Sequence, residues 1–283
     1  MMMAAAVALH GAEPNPMLAQ RVSTGSAPKI DGAISPGEWD DAAQLPPFTK
    51  VESGLPIWDK LNEIMLKYDQ DNLYIGFRTY MAIDMNLAPQ ENDSASIANV
   101  ESLDIRLIVP GQPKWRRFMV ERGGCKFDQL IRGHKLDDPK TWSPEWTYRC
   151  RLLPQDFASW SIWEGEIAIP WKALETECPK ESLKLSGMFI RNLGNVANSS
   201  SEGSRVASWN LASNSVDLIF DANYGALVFE PNRPVFRLEK LETYSRSVAA
   251  VKGRLVGPDA AKGGKLNSAV WDSANSKRMF DYT

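Results

Sequence analysis

The chain is poor in the residues that several large function classes require. Its 32 lysines and arginines are outnumbered by 35 acidic residues, for a net charge of −3. A nucleic-acid binder shows the opposite balance. The two histidines, His10 and His134, leave almost no room for multi-histidine metal sites or histidine-based triads. Cysteine is scarce and odd in number, at Cys125, Cys150 and Cys178, so there is no disulfide framework and no CxxC spacing for zinc. A Cys125–Cys150 bridge and three unpaired thiols both stay open. No stretch after the start reaches the ~18 apolar residues of a membrane span. Helical periodicity is thin and no internal repeat is visible.

The start, MMMAAAVALHGAEPNP, has a short apolar run from Met1 to Leu9, then small residues and proline. It resembles the apolar core and cleavage zone of a secretory signal without the basic flank. The expectation is an exported chain in which residues 1–18 are a leader or an unstructured tail.

What the chain has in surplus is tryptophan, ten in all. Trp buries a large area yet keeps a polar N–H, so a surplus points to a Trp-lined core or to carbohydrate-facing surfaces. Period-2 alternation assigns the most conspicuous group, WSIWEGEIAIPW from Trp160 to Trp171. Trp163, Ile167, Ile169 and Trp171 fall on one side, and Glu164, Glu166 and Ala168 on the other. Gly165 sits on the apolar side, where a missing side chain admits a large neighbour. Trp163 and Trp171 therefore read as core, and Trp160, of opposite parity, as the exposed one. Glu164 and Glu166 read as a solvated face; a glycosidase pair would need two carboxylates facing each other.

The same alternation runs through the rest. Ile64, Leu66 and Tyr68 precede the polar turn Asp69–Asn72, and Leu73, Ile75 and Phe77 follow it, which predicts a hairpin. Leu103, Ile105, Leu107 and Val109 form another inward set, with Asp104 and Arg106 on the opposite face. Phe118 and Val120 precede Gly123-Gly124, and Leu227 and Phe229 follow Tyr224-Gly225. Pro170-Trp-Lys-Ala-Leu174 predicts one short helical turn. The fold class is all-β: an antiparallel β-sandwich over 19–230, followed from about Pro231–Pro234 by three strands of a partial immunoglobulin-like β segment. Residues 231–283 read as the start of a second, truncated β domain, with further domains attached.

A sugar platform needs accessible rings beside polar side chains. Trp58, Trp115, Trp142, Trp146 and Trp209 are the remaining candidates. Trp142 and Trp146, in the Pro-bearing loop TWSPEW, form either an aromatic patch or a cap on one end of the sandwich. Trp39 reads as buried beneath the first strand. Asp69, Asp71, Asp137 and Asp138 could supply oxygen ligands to calcium, but no EF-hand spacing is present and turn solvation is the default.

Six segments, IDGAISPGEWDDA, YDQDNLYIGF, ESLDIRLIV, EGEIAIPWKAL, SWN and YGALVF, occur in an order that resembles family 9 carbohydrate-binding modules, covering roughly residues 19–230. The resemblance implies a non-catalytic sandwich that binds an oligo- or polysaccharide, with structural calcium common in the family. It places Asp104 at an outward acidic position and Arg191-Asn192 at a polar strand position. Members clamp a glucose end between two tryptophans. Here Ser96–Val100 stands at the first of those positions and Asn210–Asp221 at the second, and neither contains Trp. The candidate sugar-binding set is Asp104, Arg191, Asn192, Trp142, Trp146 and Tyr224. Two alternatives stand beside it. One is a structural or protein-interaction sandwich without a ligand. The other, from a related sandwich family, is haem held by Met81 or Met85 with His134 or Lys.

Overall fold

The computed structural model describes residues 15–45, 48–50, 62–82, 90–112, 114–132, 135–136, 142–155, 160–193, 205–209, 224–245, 248–258, 260, 268–272 and 277–282. Two β-layers pack face to face and are joined through one strand, β1 (Asn15–Thr24).

One layer is built on the predicted hairpin of β4 (Asn62–Tyr68) and β5 (Asn72–Ala82), with β2 (Ala43–Gln44) beside β4. The turn closes because Asp69 Oδ1 accepts the N–H groups of Asp71 and Asn72 at 2.8 and 2.9 Å, an Asx-type turn. β11 (Trp160–Pro170) adds to β5, and β10 (Thr147–Pro154) to β11.

The other layer runs β14 (Gly225–Phe229), β12 (Leu183–Leu193), β6 (Ser102–Ile108), β7 (Trp115–Glu121), β8 (Lys126–Arg132) and β9 (Lys135–Leu136). β13 (Arg205–Trp209) pairs with the second half of β12 and carries β3 (Thr49–Lys50). β1 departs from the antiparallel expectation. It pairs in parallel with β14 from Ala19 to Val22 and with β4 at Ser23 and Thr24. It begins at Asn15, inside the segment read as leader or tail.

The period-2 parities hold. Ile64, Leu66, Tyr68, Leu73, Ile75, Phe77, Trp163, Ile167 and Ile169 from one layer meet Leu103, Ile105, Leu107, Phe118, Val120, Leu227 and Phe229 from the other in a single core. Trp163 stands edge-on to Phe77 at 4.9 Å. A Cβ at Gly165 would lie 2.7 Å from Phe77 Cζ, so the missing side chain is what admits the ring. Burying side chains of this size is worth about 1.5–3 kcal/mol each. Trp171 is also core and opens the expected short turn, a 3-10 turn from Trp171 to Leu174 after Pro170. The side chains of Trp160 and Trp209, and all of Trp58, lie outside the described residues.

The segment 29–42 crosses the outer face of the first layer. Trp39 is buried there, as expected, with its ring over Gly76, where a Cβ would meet it at 2.8 Å. Gly32, at φ +92°, passes so close to the Cys150 backbone that a Cβ would sit 2.8 Å from its nitrogen. Asp31-Gly32 is thus a turn only glycine completes.

After Pro234 the chain forms two separate hairpins rather than three strands: β15 (Val235–Ser245) with β16 (Val248–Val256), and β17 (Ser268–Asp272) with β18 (Lys277–Tyr282). The first docks on the sandwich. Val235 and Val256 pack on Ala43, and Arg237 donates to the Trp39 carbonyl. All three cysteines are free thiols. Cys125 packs with Ile97, Met119 and Phe127, and Cys150 against the main core on the other side of β7.

Candidate functional site

The outer face of the second layer carries the polar residues of interest. On β6 the alternation that sends Leu103, Ile105 and Leu107 inward turns Asp104 and Arg106 outward. On β7 it turns Arg117 outward, directly opposite Arg106 in the register. Asp104 is 1 % exposed, yet it is the shared acceptor of both guanidiniums. Arg106 NH2 donates at 2.9 Å and Arg117 NH2 at 2.8 Å, with both Nε groups adding longer bonds. Burial alone would raise the Asp104 pKa; the two guanidiniums outweigh it and hold it at about 2. Burial likewise works against the Arg106 charge, but Asp104, and after it the Tyr224 oxygen, raise its pKa.

Aromatic and apolar groups flank this cluster. Tyr224 is buried against Trp115 at 5.3 Å, in a patch with Ile108, Ile131, Met188 and Ile190. Arg117 lies over the Phe127 ring at 6.0 Å. The 3-10 turn Ala95–Asn99, in the stretch where the resembling family carries its first clamp tryptophan, seats Ile97 on Met119 and Phe127 instead.

Asp104, Asn192 and Tyr224 therefore share a face. Asn192 is half-buried and donates to Ser102 Oγ at 3.0 Å. Arg191 does not join them, because neighbours on a strand point to opposite sides. It faces inward, buried, with Glu101 as its ion-pair partner and a further bond to the Tyr80 carbonyl of the other layer. Trp142 and Trp146 stand at the layer edge as a cap. Both meet Phe118 edge-on, at 5.5 and 5.2 Å, and Trp146 is buried with its indole N–H on Asp128 at 2.9 Å. Burial raises the Asp128 pKa, and the Trp146 N–H opposes the rise. Beside them lies an open polar cleft of about 260 Å³ bounded by Asn92, Lys126, Thr147 and Arg149.

The sequence reading missed Arg106 and Arg117 as site residues. The signal was present, since Arg106 shares the parity of Asp104 and WRRF places one arginine on each side of its strand.

A second carboxylate cluster corrects an expectation. Glu164 and Glu166 point away from the core as predicted, but they are fully buried rather than solvated. The segment 29–42 covers them. Glu166 accepts the backbone N–H groups of Asp31 and Gly32, both at 3.0 Å, and the Trp39 indole N–H at 2.9 Å. Glu164 is paired with Arg78 and Arg151 and accepts from Ile34 N. Burial raises the Glu166 pKa against the pull of those three donors.

Among the described residues no three His, Cys, Asp or Glu side chains come together to hold a metal. Asp69 does not fit a cation site: one oxygen caps its own turn and the other accepts from the Tyr74 hydroxyl at 2.7 Å. Asp137, Asp138, Met81, Met85 and His134 lie outside the residues whose side chains are described. No described helix is long and apolar enough to cross a membrane.

These features define a two-layer β-sandwich with a polar cluster on the outer face of its second layer. In particular, a solved structure described as a candidate carbohydrate-binding protein from Bacteroides uniformis shares the fold, with a TM-score of 0.52 at 12 % identity over 75 % of this chain and 98 % of that one. A family 9 carbohydrate-binding module from Caldicellulosiruptor kristjanssonii, solved with cellotriose and with glucose, is similar at TM-scores of 0.48 and 0.47. The identities are 16 % and 15 %, over 75 % of this chain and 93 % and 95 % of those. No family model matches the chain, and no curated protein matches it in sequence. At such identities the likeness to the Bacteroides uniformis structure is one of fold.

Proposed function

We propose that the chain is a non-catalytic carbohydrate-binding module, part of a secreted multidomain protein, and that it meets its glycan on the outer face around Asp104. One observation carries the reading. Among the described residues every side-chain hydrogen bond of Arg117 goes to Asp104, which holds the guanidinium in place, while its side chain remains 13 % exposed. A fixed guanidinium with open N–H groups is a ready donor to sugar hydroxyls, and fixing it in advance lowers the entropy cost of binding. The non-catalytic part is supported by Glu164 and Glu166, whose oxygens are engaged by the protein's own donors.

A second reading, a structural or protein-interaction sandwich, is favoured by one fact. Leu152 is the exposed large apolar side chain among the described residues, so no described aromatic ring stands open as a platform.

Titration with a glycan panel, followed by tryptophan fluorescence with and without calcium, separates the two. Trp115 lies on the candidate face, so binding is expected to give a saturable shift. Calcium, implied only by resemblance, enters as a variable of that titration. Including chains with reduced ends tells end recognition from recognition along the chain. Silence across the panel in both conditions favours the second reading.

A further inference from the structure

Arg106 and Arg117 stand directly opposite each other across β6 and β7. Like charges in that position repel. Asp104 brings one negative charge to the two guanidiniums, and beyond the Phe127 ring beneath it Arg117 has no other side-chain hydrogen-bond or ion-pair partner among the described residues. The geometry of the shared bond matters. Asp104 takes the Nε and NH2 side of Arg117, which leaves its NH1 end for a second acceptor. A guanidinium's N–H groups lie in one plane and match the two oxygens of a carboxylate.

From this we propose that the glycan bound at this face carries a carboxylate, as a uronic acid does, and that the carboxylate docks on the open end of Arg117. The inference rests on the carbohydrate-binding reading above and names the sugar class for it. Among the described residues of these strands, the remaining acid does not supply the missing anion. Glu121, at the far end of β7, turns both oxygens to the N–H groups of Gly123 and Cys125. The chain's overall charge of −3 gives no general attraction for a polyanion, so affinity for an acidic glycan reports the local site.

The test compares three trisaccharides on the intact chain by calorimetry: a galacturonic acid oligomer, its methyl ester and the neutral galactose oligomer. The acid is expected to bind roughly tenfold to a hundredfold more tightly than the ester, the scale of one charge-assisted hydrogen bond. Added salt should erode that difference. Arg117→Gln should remove the advantage of the acid, so that acid and ester bind alike and neither binds more tightly than the ester binds the unaltered chain, and a thermal melt of the variant checks its folding. If the variant does not fold, the acid–ester comparison on the unaltered chain decides alone. Equal binding of acid and ester overturns the inference and leaves the carbohydrate reading standing. Tighter binding of a sulfated oligosaccharide than of the uronate overturns the carboxylate assignment. If none of these sugars and nothing in the broad panel binds, this inference and the carbohydrate-binding reading fall together.

Discussion

The outer faces of the two layers solve the same problem in different ways. Each buries carboxylate against arginine. On the β5–β11 face Glu164 meets two arginines, Arg78 and Arg151, while Glu166 beside it meets none, and the chain's own segment 29–42 lies over both acids and supplies the remaining N–H donors. On the β6–β7 face one acid, Asp104, meets two arginines. In the first, the protein's own donors engage every carboxylate oxygen beneath a covering segment; in the second, no described segment is hydrogen-bonded over the shared aspartate and one guanidinium end is left without an acceptor among the described residues. Buried charge by itself does not mark a functional site. What separates architecture from a site is whether the protein supplies every partner.

Breaking the closed face should have the largest effect. Glu166→Ala strands three N–H donors in a buried place and should cost about 3–5 kcal/mol in urea denaturation, since each unsatisfied buried group costs roughly 1–3 kcal/mol. A loss under about 1 kcal/mol would mean that water replaces the carboxylate and that the face is not closed.

Acid should act next, and with opposite sign on the two faces. The folded pKa of Asp104, about 2, lies below that of an unfolded carboxylate. Its contribution is therefore complete above about pH 4 and disappears as pH falls towards 2, a loss of about 2 kcal/mol. The raised pKa of Glu166 works the other way: its contribution is present below the ordinary glutamate value and lost as pH rises through the folded one. Urea midpoints between pH 2 and 5 for the unaltered chain and Asp104→Asn should diverge as pH rises. Parallel curves would show that the two arginines do not stabilise the charged aspartate.

The smallest effects sharpen the comparison. Arg151 is nearly half exposed, so Arg151→Gln should cost no more than about 1 kcal/mol. Arg117→Gln leaves Asp104 with Arg106 and relieves a like-charge pair, which offsets part of the lost bonds to Asp104, so it should cost no more than about 1 kcal/mol. A destabilisation above about 3 kcal/mol would make Arg117 a structural residue like those under segment 29–42.

Much of the fold was legible because period-2 alternation reports burial directly. It placed Trp163, Trp171, the β4–β5 hairpin and the inward set on β6. Partners were not legible. Nothing local to Glu164 and Glu166 says that a segment more than a hundred residues earlier lies over them, and nothing in β1 says that it pairs in parallel. The site was half legible. Alternation already implied that Arg191 and Asn192 cannot share a face, and that Arg106 accompanies Asp104. The direction of Trp142 and Trp146 was hidden, because a proline-bearing loop carries no period.

β1 also sets a timetable for synthesis. Its end at Ser23 and Thr24 can join β4 soon after Lys67 and Tyr68 emerge, but its body waits for β14, about 200 residues behind. At typical rates of chain growth that wait lasts roughly 10–40 s. During it the strand is tacked at one end and bare along the rest, an unpaired edge open to any neighbouring strand. The seam closes only when Phe229 arrives, so the two layers become one sandwich late and together.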